Sequence, residues 1–226
     1  MKKYKITIAI LNYNREEFLD RSIRSCLNQF CDSKEIEILV IDDASTDKSE
    51  KIIKYFKKNY TCNLKYYKLN KNMGAGYCSK LAVSKSKGDF FIRVDSDDYI
   101  GNLAIETMAN VLINNPKFAY VYGDLVKIDN KGHKIETVRL ASKNIKLNHG
   151  AGIMFSTKII KSIGNYNQNL RQAEDYDLIK RIDKKFKSFY LPVPFYRYYI
   201  HGKNTTYLPQ RNKIIKILKK NETKNR

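Results

Sequence analysis

Four short apolar runs, each closed by a polar cluster and separated by helix-spaced stretches, constrain this chain more than any other feature. Ile6–Leu11, Ile36–Ile41, Leu64–Leu69 and Phe90–Val94 read as strands. Three of them are near-continuous in apolar residues, as strands buried on both faces are. Between the first pair, Leu19, Ile23, Cys26, Leu27 and Phe30 recur at helical spacing, with Asn14 and Glu17 arranged as a capping box. Ile52, Ile53 and Phe56 give a second helical face. A glycine turn, Met73-Gly74-Ala75-Gly76, opens a third helix to about Ser86. This alternation predicts an α/β fold: a mostly parallel, Rossmann-like sheet covered by helices, with right-handed crossovers. Ligands collect beyond the carboxyl ends of strands in such sheets. Asn12-Tyr13-Asn14, Asp42-Asp43-Ala44-Ser45 and Asp95-Ser96-Asp97-Asp98 all fall there.

After Asp98 the pattern changes to a mixed sheet. Asn102–Asn114 reads as a helix stopped before Pro116. Phe118–Tyr122 and Leu125–Asp129 read as strands, and Asn130-Lys131-Gly132 as a turn into a strand near Ile135–Leu140. Gly150-Ala151-Gly152 opens a further short strand, and Asp175–Lys185 reads as a helix. No linker or repeat divides the 226 residues, a length that suits one α/β domain with a small appendage.

The net charge of +20 favours anionic partners: nucleic acid, acidic lipid or phosphate-bearing substrates. Biased composition, rich in Lys, Asn, Ile and Tyr, is an equal account of that charge. No RNA-recognition, zinc-finger or helix-turn-helix signature accompanies it, which argues against specific nucleic-acid binding. Cys26, Cys31, Cys62 and Cys78 form no CxxC pair and have no His at ligand spacing, so zinc is not expected. Cys26 and Cys78 fall in helical patterns as buried thiols, which points to a reducing compartment. The opening MKKYKITIAIL imitates a signal peptide, but its apolar run ends at Asn12 and is too short. No apolar run reaches the roughly 18 residues of a membrane span. The expectation is a cytoplasmic protein, with the basic tail from Gln210 as a candidate contact to an anionic membrane face.

Four clusters carry chemistry. Asp95-Ser96-Asp97-Asp98 sets three carboxylates in four residues after a buried strand. Their repulsion is relieved by a divalent cation, and Mg²⁺ or Mn²⁺ commonly bridges carboxylate to phosphate. In Asp42-Asp43-Ala44-Ser45-Thr46-Asp47, Asp43 is the candidate ligand for a nucleobase or ribose, while Ser45, Thr46 and Asp47 suit helix capping. Glu174 and Asp175 offer a general base on an acceptor hydroxyl, or a favourable acidic first turn of a helix. His201, followed by Asn204, is a candidate metal or diphosphate ligand, or a structural His.

In order, these pieces resemble the inverting family 2 glycosyltransferases of the GT-A fold. The residues are Ile8 to Arg15, Val40 to Asp47, Asn72-Met73-Gly74, Lys87 to Ile92, Asp95 to Asp98, Glu174 to Leu178, and His201 with Asn204, covering about residues 5 to 206. The resemblance implies a catalytic domain over 1–208 followed by a basic tail over 209–226. It places Leu11 and Tyr13 at the nucleoside, Asp43 at the base, Asp95 at the ribose, and Lys80 and Glu174 also in the donor site. It makes Asp97, Asp98 and His201 the holders of Mn²⁺ or Mg²⁺, and Asp175 the catalytic base. The implied substrates are a nucleoside-diphosphate sugar, UDP-linked by preference, and a hydroxyl of a glycan or lipid-linked acceptor in surface polysaccharide assembly.

Two departures qualify the match. Ser79-Lys80 stands where many relatives have Arg-Asn, and Ile100-Gly101-Asn102 where many have Pro. No Q-x-x-R-W motif points to a processive synthase. The rivals are a binding-only protein for nucleotide or polyanion, and a sugar-phosphate nucleotidylyltransferase. The latter needs a glycine-rich loop after the first strand, where this chain has Asn12-Tyr13-Asn14-Arg15-Glu16.

Overall fold

The computed structural model describes residues 4–60, 63–141, 150–202, 204 and 209–224. β1 (Ile6–Asn12), β2 (Ile36–Asp42), β3 (Leu64–Lys68) and β4 (Phe90–Asp95) lie parallel in the order β3-β2-β1-β4. Helices α1 (Glu16–Leu27), α2 (Ser49–Asn59) and α3 (Ala75–Lys85) connect them. All of β2, and all of β1 except Leu11, is buried, which is why these strands read as unbroken apolar runs.

Beyond β4 the sheet turns mixed. β5 (Tyr99–Ile100) and α4 (Ala104–Asn114) precede β6 (Phe118–Ile128) and β7 (Lys134–Val138); then come β8 (Met154–Ser156), α5 (Thr157–Ser162), α6 (Glu174–Asp183), β9 (Lys187–Tyr199) and α7 (Pro209–Lys224). The strand order continues β4-β8-β6-β9-β5, with β7 attached to β6. β8 runs antiparallel to both β4 and β6, whereas β9 runs parallel to β6.

Several expectations are corrected here. The two strands expected at 118–129 are one strand, whose register shifts around Gly123 and Asp124. A Cβ at Gly123 would sit 2.6 Å from the Val193 carbonyl oxygen, so the irregularity needs glycine. The long β9 had no apolar signature because Pro192 and Pro194 interrupt it. Gly123 pairs with Leu191 and Asp124 with Pro194, so the extra residues, Pro192 among them, sit in the bulge.

The capping box at Asn14 and Glu17 does not form. Asn14 takes a positive φ of 50°, and its Oδ1 accepts from Thr46 N at 2.9 Å. Asp47 serves both helices instead, accepting from Glu16 N (2.9 Å) and Ser49 N (3.0 Å). Ser45 turns away from capping and accepts from Asn14 N at 2.9 Å. The C-terminal segment is a helix that packs on the domain: Ile215 joins the main core, with Ile214 and Leu218 against it. Cys26, Cys31 and Cys78 are free thiols; Cys62 lies outside the described residues. No helix among those residues is long and apolar enough to cross a membrane.

Candidate active site

A cavity of about 320 Å³ opens where β1, β2 and β4 end. Leu11, Tyr13, Asp43, Asp95, Asp97, Glu174 and Asp175 all line it, so seven of the ten sequence-predicted site residues meet there. Asp43 follows β2, and its carboxylate accepts from Met73 N (2.6 Å) and Gly74 N (2.8 Å). The glycine turn is thus held as a wall of the cavity. Gly74 has a φ of +86°, accessible to glycine at little cost. The preceding Asp42 is buried and structural, held by Asn12 Nδ2, Ser45 Oγ and Tyr66 Oη.

The aspartate cluster divides. Asp95 and Asp97 face the cavity. Asp98 does not line it: it is 1% exposed, accepting from Tyr196 Oη at 2.7 Å and Tyr199 N at 2.9 Å. Burial, with Asp97 and Asp95 nearby, pushes the Asp98 carboxyl well above its usual range. The metal role expected for Asp98 therefore has no geometric support, because a turn alternates the direction of its side chains and this one is spent tying β4 to β9. Burial would also lift Asp97, but His201 and Arg15 outweigh it and hold Asp97 below the usual value. Asp97 Oδ2 lies 2.9 Å from His201 Nε2 and accepts from Arg15 Nε at 3.1 Å. His201 stacks on Phe18 with centroids 5.6 Å apart. Asn204 Oδ1 accepts from His201 N and Asn204 Nδ2 donates to the Tyr199 carbonyl, so Asn204 shapes the turn that presents the imidazole.

Lys80 and His201 are the other expected site residues that do not line the cavity: His201 reaches it only through its contact with Asp97, and Lys80 lies on α3 outside the lining. The neighbouring Ser79 is buried, and its Oγ accepts from Arg93 Nη1 at 3.2 Å. Arg93 also donates to Glu174 Oε1 at 2.6 Å and pairs with Asp95 Oδ1 at 3.2 Å. Four arginines line the cavity: Arg15, Arg93, Arg171 and Arg211. Sequence reasoning missed all four. A signal existed for Arg93, since a lone charge inside the buried run Phe91-Ile92-Arg93-Val94 demands a partner. Nothing in the basic tail distinguished Arg211.

Glu174 and Asp175 open α6, preceded by Ala173 in the left-handed region (φ 60°). Asp175 is 6% exposed. Its Oδ1 accepts from Tyr176 N at 2.7 Å, and Arg211 Nη2 donates to Oδ1 and Oδ2 at 3.1 and 3.2 Å. A carboxylate here can receive a proton from a hydroxyl in the cavity.

The donor set suits a divalent cation only in part. Asp97 oxygen and His201 nitrogen are adjacent, and Asp95 lines the same wall. Among the described residues no group of three or more His, Cys, Asp or Glu side chains is gathered to hold a metal unaided. The pair fits a cation that takes its remaining ligands from phosphate and water, as Mn²⁺ and Mg²⁺ do.

A parallel sheet with carboxylates at its strand ends, joined to a mixed half that brings an acidic helix start to the same cavity, is the GT-A architecture of nucleotide-sugar transferases. Residues 7–167 match the family model described as Glycosyl transferase family 2, and the chain belongs to that family. Glu174, Asp175 and Arg211 lie beyond the matched span. The chain is 33% identical over 138 residues to an uncharacterized glycosyltransferase of Haemophilus influenzae, covering 61% of this chain and 54% of that protein. It is 27% identical to the poly(ribitol-phosphate) beta-glucosyltransferase of Bacillus spizizenii, over 87% of this chain and 32% of the relative. It therefore spans about a third to a half of the length of these relatives. Among solved structures, the 1–349 portion of S. aureus TarS in complex with UDP-GlcNAc superposes with a TM-score of 0.77 at 21% identity, over 94% of this chain and 65% of that one. The mannosyltransferase PcManGT of Pyrobaculum calidifontis, in complex with GDP-Man and Mn²⁺, gives 0.74 at 14% identity, over 90% and 59%.

Proposed function

We propose that the chain transfers a sugar, with inversion, from a nucleoside-diphosphate sugar to a hydroxyl of a glycan or lipid-linked acceptor in surface polysaccharide assembly. The observation that carries this reading is the shared cavity. Asp43, Asp95 and Asp97 line it from the strand ends, and Asp175 lines it from the start of α6. The nucleoside lies against Leu11 and Tyr13, with Asp43 and Asp95 as acceptors for base and ribose. Asp97 and His201 would hold Mn²⁺ or Mg²⁺, which when bound neutralises charge on the departing diphosphate. Asp175 takes the proton of the acceptor hydroxyl as its oxygen bonds to the anomeric carbon. The bond from that carbon to the phosphate oxygen breaks, and the nucleoside diphosphate leaves with the electron pair. Arg93 keeps Glu174 fixed beside the base. UDP is the favoured nucleotide, in line with the complexes of TarS with UDP and UDP-GlcNAc.

The test is release of nucleoside diphosphate from a panel of UDP- and GDP-sugars, with Mn²⁺ and with EDTA. The expected result is turnover of one donor, abolished by EDTA and strongly suppressed, though still measurable, in Asp175→Asn, with donor binding retained in that variant. Metal-independent turnover, or an Asp175→Asn enzyme as fast as the parent, would overturn the corresponding assignment.

A further inference from the structure

Arg211 is 6% exposed on a helix whose composition suggests a basic tail, solvated or set against an anionic membrane. Its guanidinium ends inside the cavity on both carboxylate oxygens of Asp175. We propose that Arg211 is the positioning residue for the base, so that α7 belongs to the catalytic machinery. This proposal rests on the reading of Asp175 given above.

Three contacts box the carboxylate. Tyr176 N donates to Oδ1, Arg211 Nη2 bridges Oδ1 and Oδ2, and Gly150 closes the remaining side. A Cβ on Gly150 would stand 2.1 Å from Asp175 Cβ and 2.7 Å from Oδ2, so the close approach of this backbone to the carboxylate requires glycine. A base that receives a proton in an in-line displacement must hold one orientation, and Arg211 Nη2, shared between the two oxygens, acts with Tyr176 N to resist rotation of the carboxylate. The surrounding charges favour the contact. Asp175 shares its wall with Glu174 on its own helix and with Arg93 and Asp95 from β4, and the buried Tyr166 of the preceding loop lies within electrostatic reach. Arg93 is committed to Glu174 and Asp95. That leaves Arg211 as the cation bonded to Asp175 among the described residues. Ile215, one turn further along α7, is buried in the core and anchors the helix that delivers it.

The experiment compares the parent with Arg211→Gln, Arg211→Lys, Asp175→Asn and the Asp175→Asn/Arg211→Gln double variant. UDP release from UDP-GlcNAc and UDP-glucose with Mn²⁺ is measured alongside thermal unfolding. Arg211→Gln should lower kcat about 10- to 100-fold with the donor KM little changed. Arg211→Lys should recover part of the loss, and Arg211→Gln should slow the Asp175→Asn enzyme no further. The same proteins form a stability cycle, in which the two single losses in Tm should exceed the loss in the double variant. A parent-like kcat in Arg211→Gln, an undiminished effect of Arg211→Gln in the Asp175→Asn background, or strictly additive Tm losses would each overturn the proposal. Full turnover by Asp175→Asn would instead remove the base assignment, and the proposal with it.

Discussion

Asp98 is buried under Tyr196 Oη and Tyr199 N, while Asp97, one residue earlier, faces the cavity and is held by His201 and Arg15. Two substitutions separate their roles. Asp98→Ala strands two buried donors at about 1–3 kcal/mol each, so thermal unfolding should fall by several degrees. Asp97→Ala leaves Arg15 and His201 beside a cavity that water can enter, so it should cost less stability than Asp98→Ala. Its effect should appear in calorimetric titration of UDP with Mn²⁺, weakened about tenfold or more. Equal stability losses, or unchanged titrations for Asp97→Ala, would contradict this division. The sequence supplied the aspartate cluster and its location, because a carboxylate run after a buried strand is unusual. It did not say which member faces the cavity, since that depends on how β9, a strand hidden by its prolines, approaches the turn. Gly150 was legible as a strand opener near the pocket, but its packing against Asp175 was not. Gly150→Ala places a Cβ 2.1 Å from Asp175 Cβ and should suppress turnover while costing about 1–3 kcal/mol in stability.

At the scale of elements, the first half was legible because each strand must be apolar on both faces and each helix on one. The connections were less so, because local sequence does not reveal partners distant along the chain. Asp47 has the right chemistry for a cap, but its second client, Glu16 N, lies 31 residues earlier. Glu16 returns the contact by accepting from Lys48 N at 2.5 Å, so α1 and α2 begin at a shared joint. Asp47→Ala should cost about 1–2 kcal/mol for each helix start, and Asp47→Asn less. Burial would raise the Asp47 carboxyl, but the bonds from Ser49 and Glu16 hold it below its usual value. A carboxyl lowered on folding contributes in full above its unfolded value of about 3.9 and loses that contribution as pH falls through the folded value. The stability gap between parent and Asp47→Ala, read from urea unfolding, should therefore be constant near neutrality and close below about pH 4. A gap that persists unchanged well below that range would mean packing, not the ionised cap, makes the difference.

For the whole molecule, the +20 charge dominates the composition, yet the cavity at the strand ends is walled largely by carboxylates and arginines, with Arg15, Arg93 and Arg211 each paired to a carboxylate. Net charge describes the exterior and says little about a site built from buried pairs. The expected boundary at 208 falls just before α7, a basic helix with intermittent apolar residues. In α7, Ile215 is buried with Ile214 and Leu218 beside it, while Ile217 is 49% exposed. If α7 is integral to the domain, it unfolds with the sheet. Ile215→Ala should then lower the denaturation midpoint by an amount equal to about 2–4 kcal/mol with no change in slope, while Ile217→Ala stays within about 0.5 kcal/mol. An appendage that unfolds by itself would leave the main transition of Ile215→Ala untouched and add a separate early phase. The distinction bears directly on activity, because the helix that Ile215 anchors also carries Arg211 to Asp175. A loosened α7 should therefore cost turnover at temperatures where the sheet is still folded, and a single set of unfolding and rate curves on Ile215→Ala tests both.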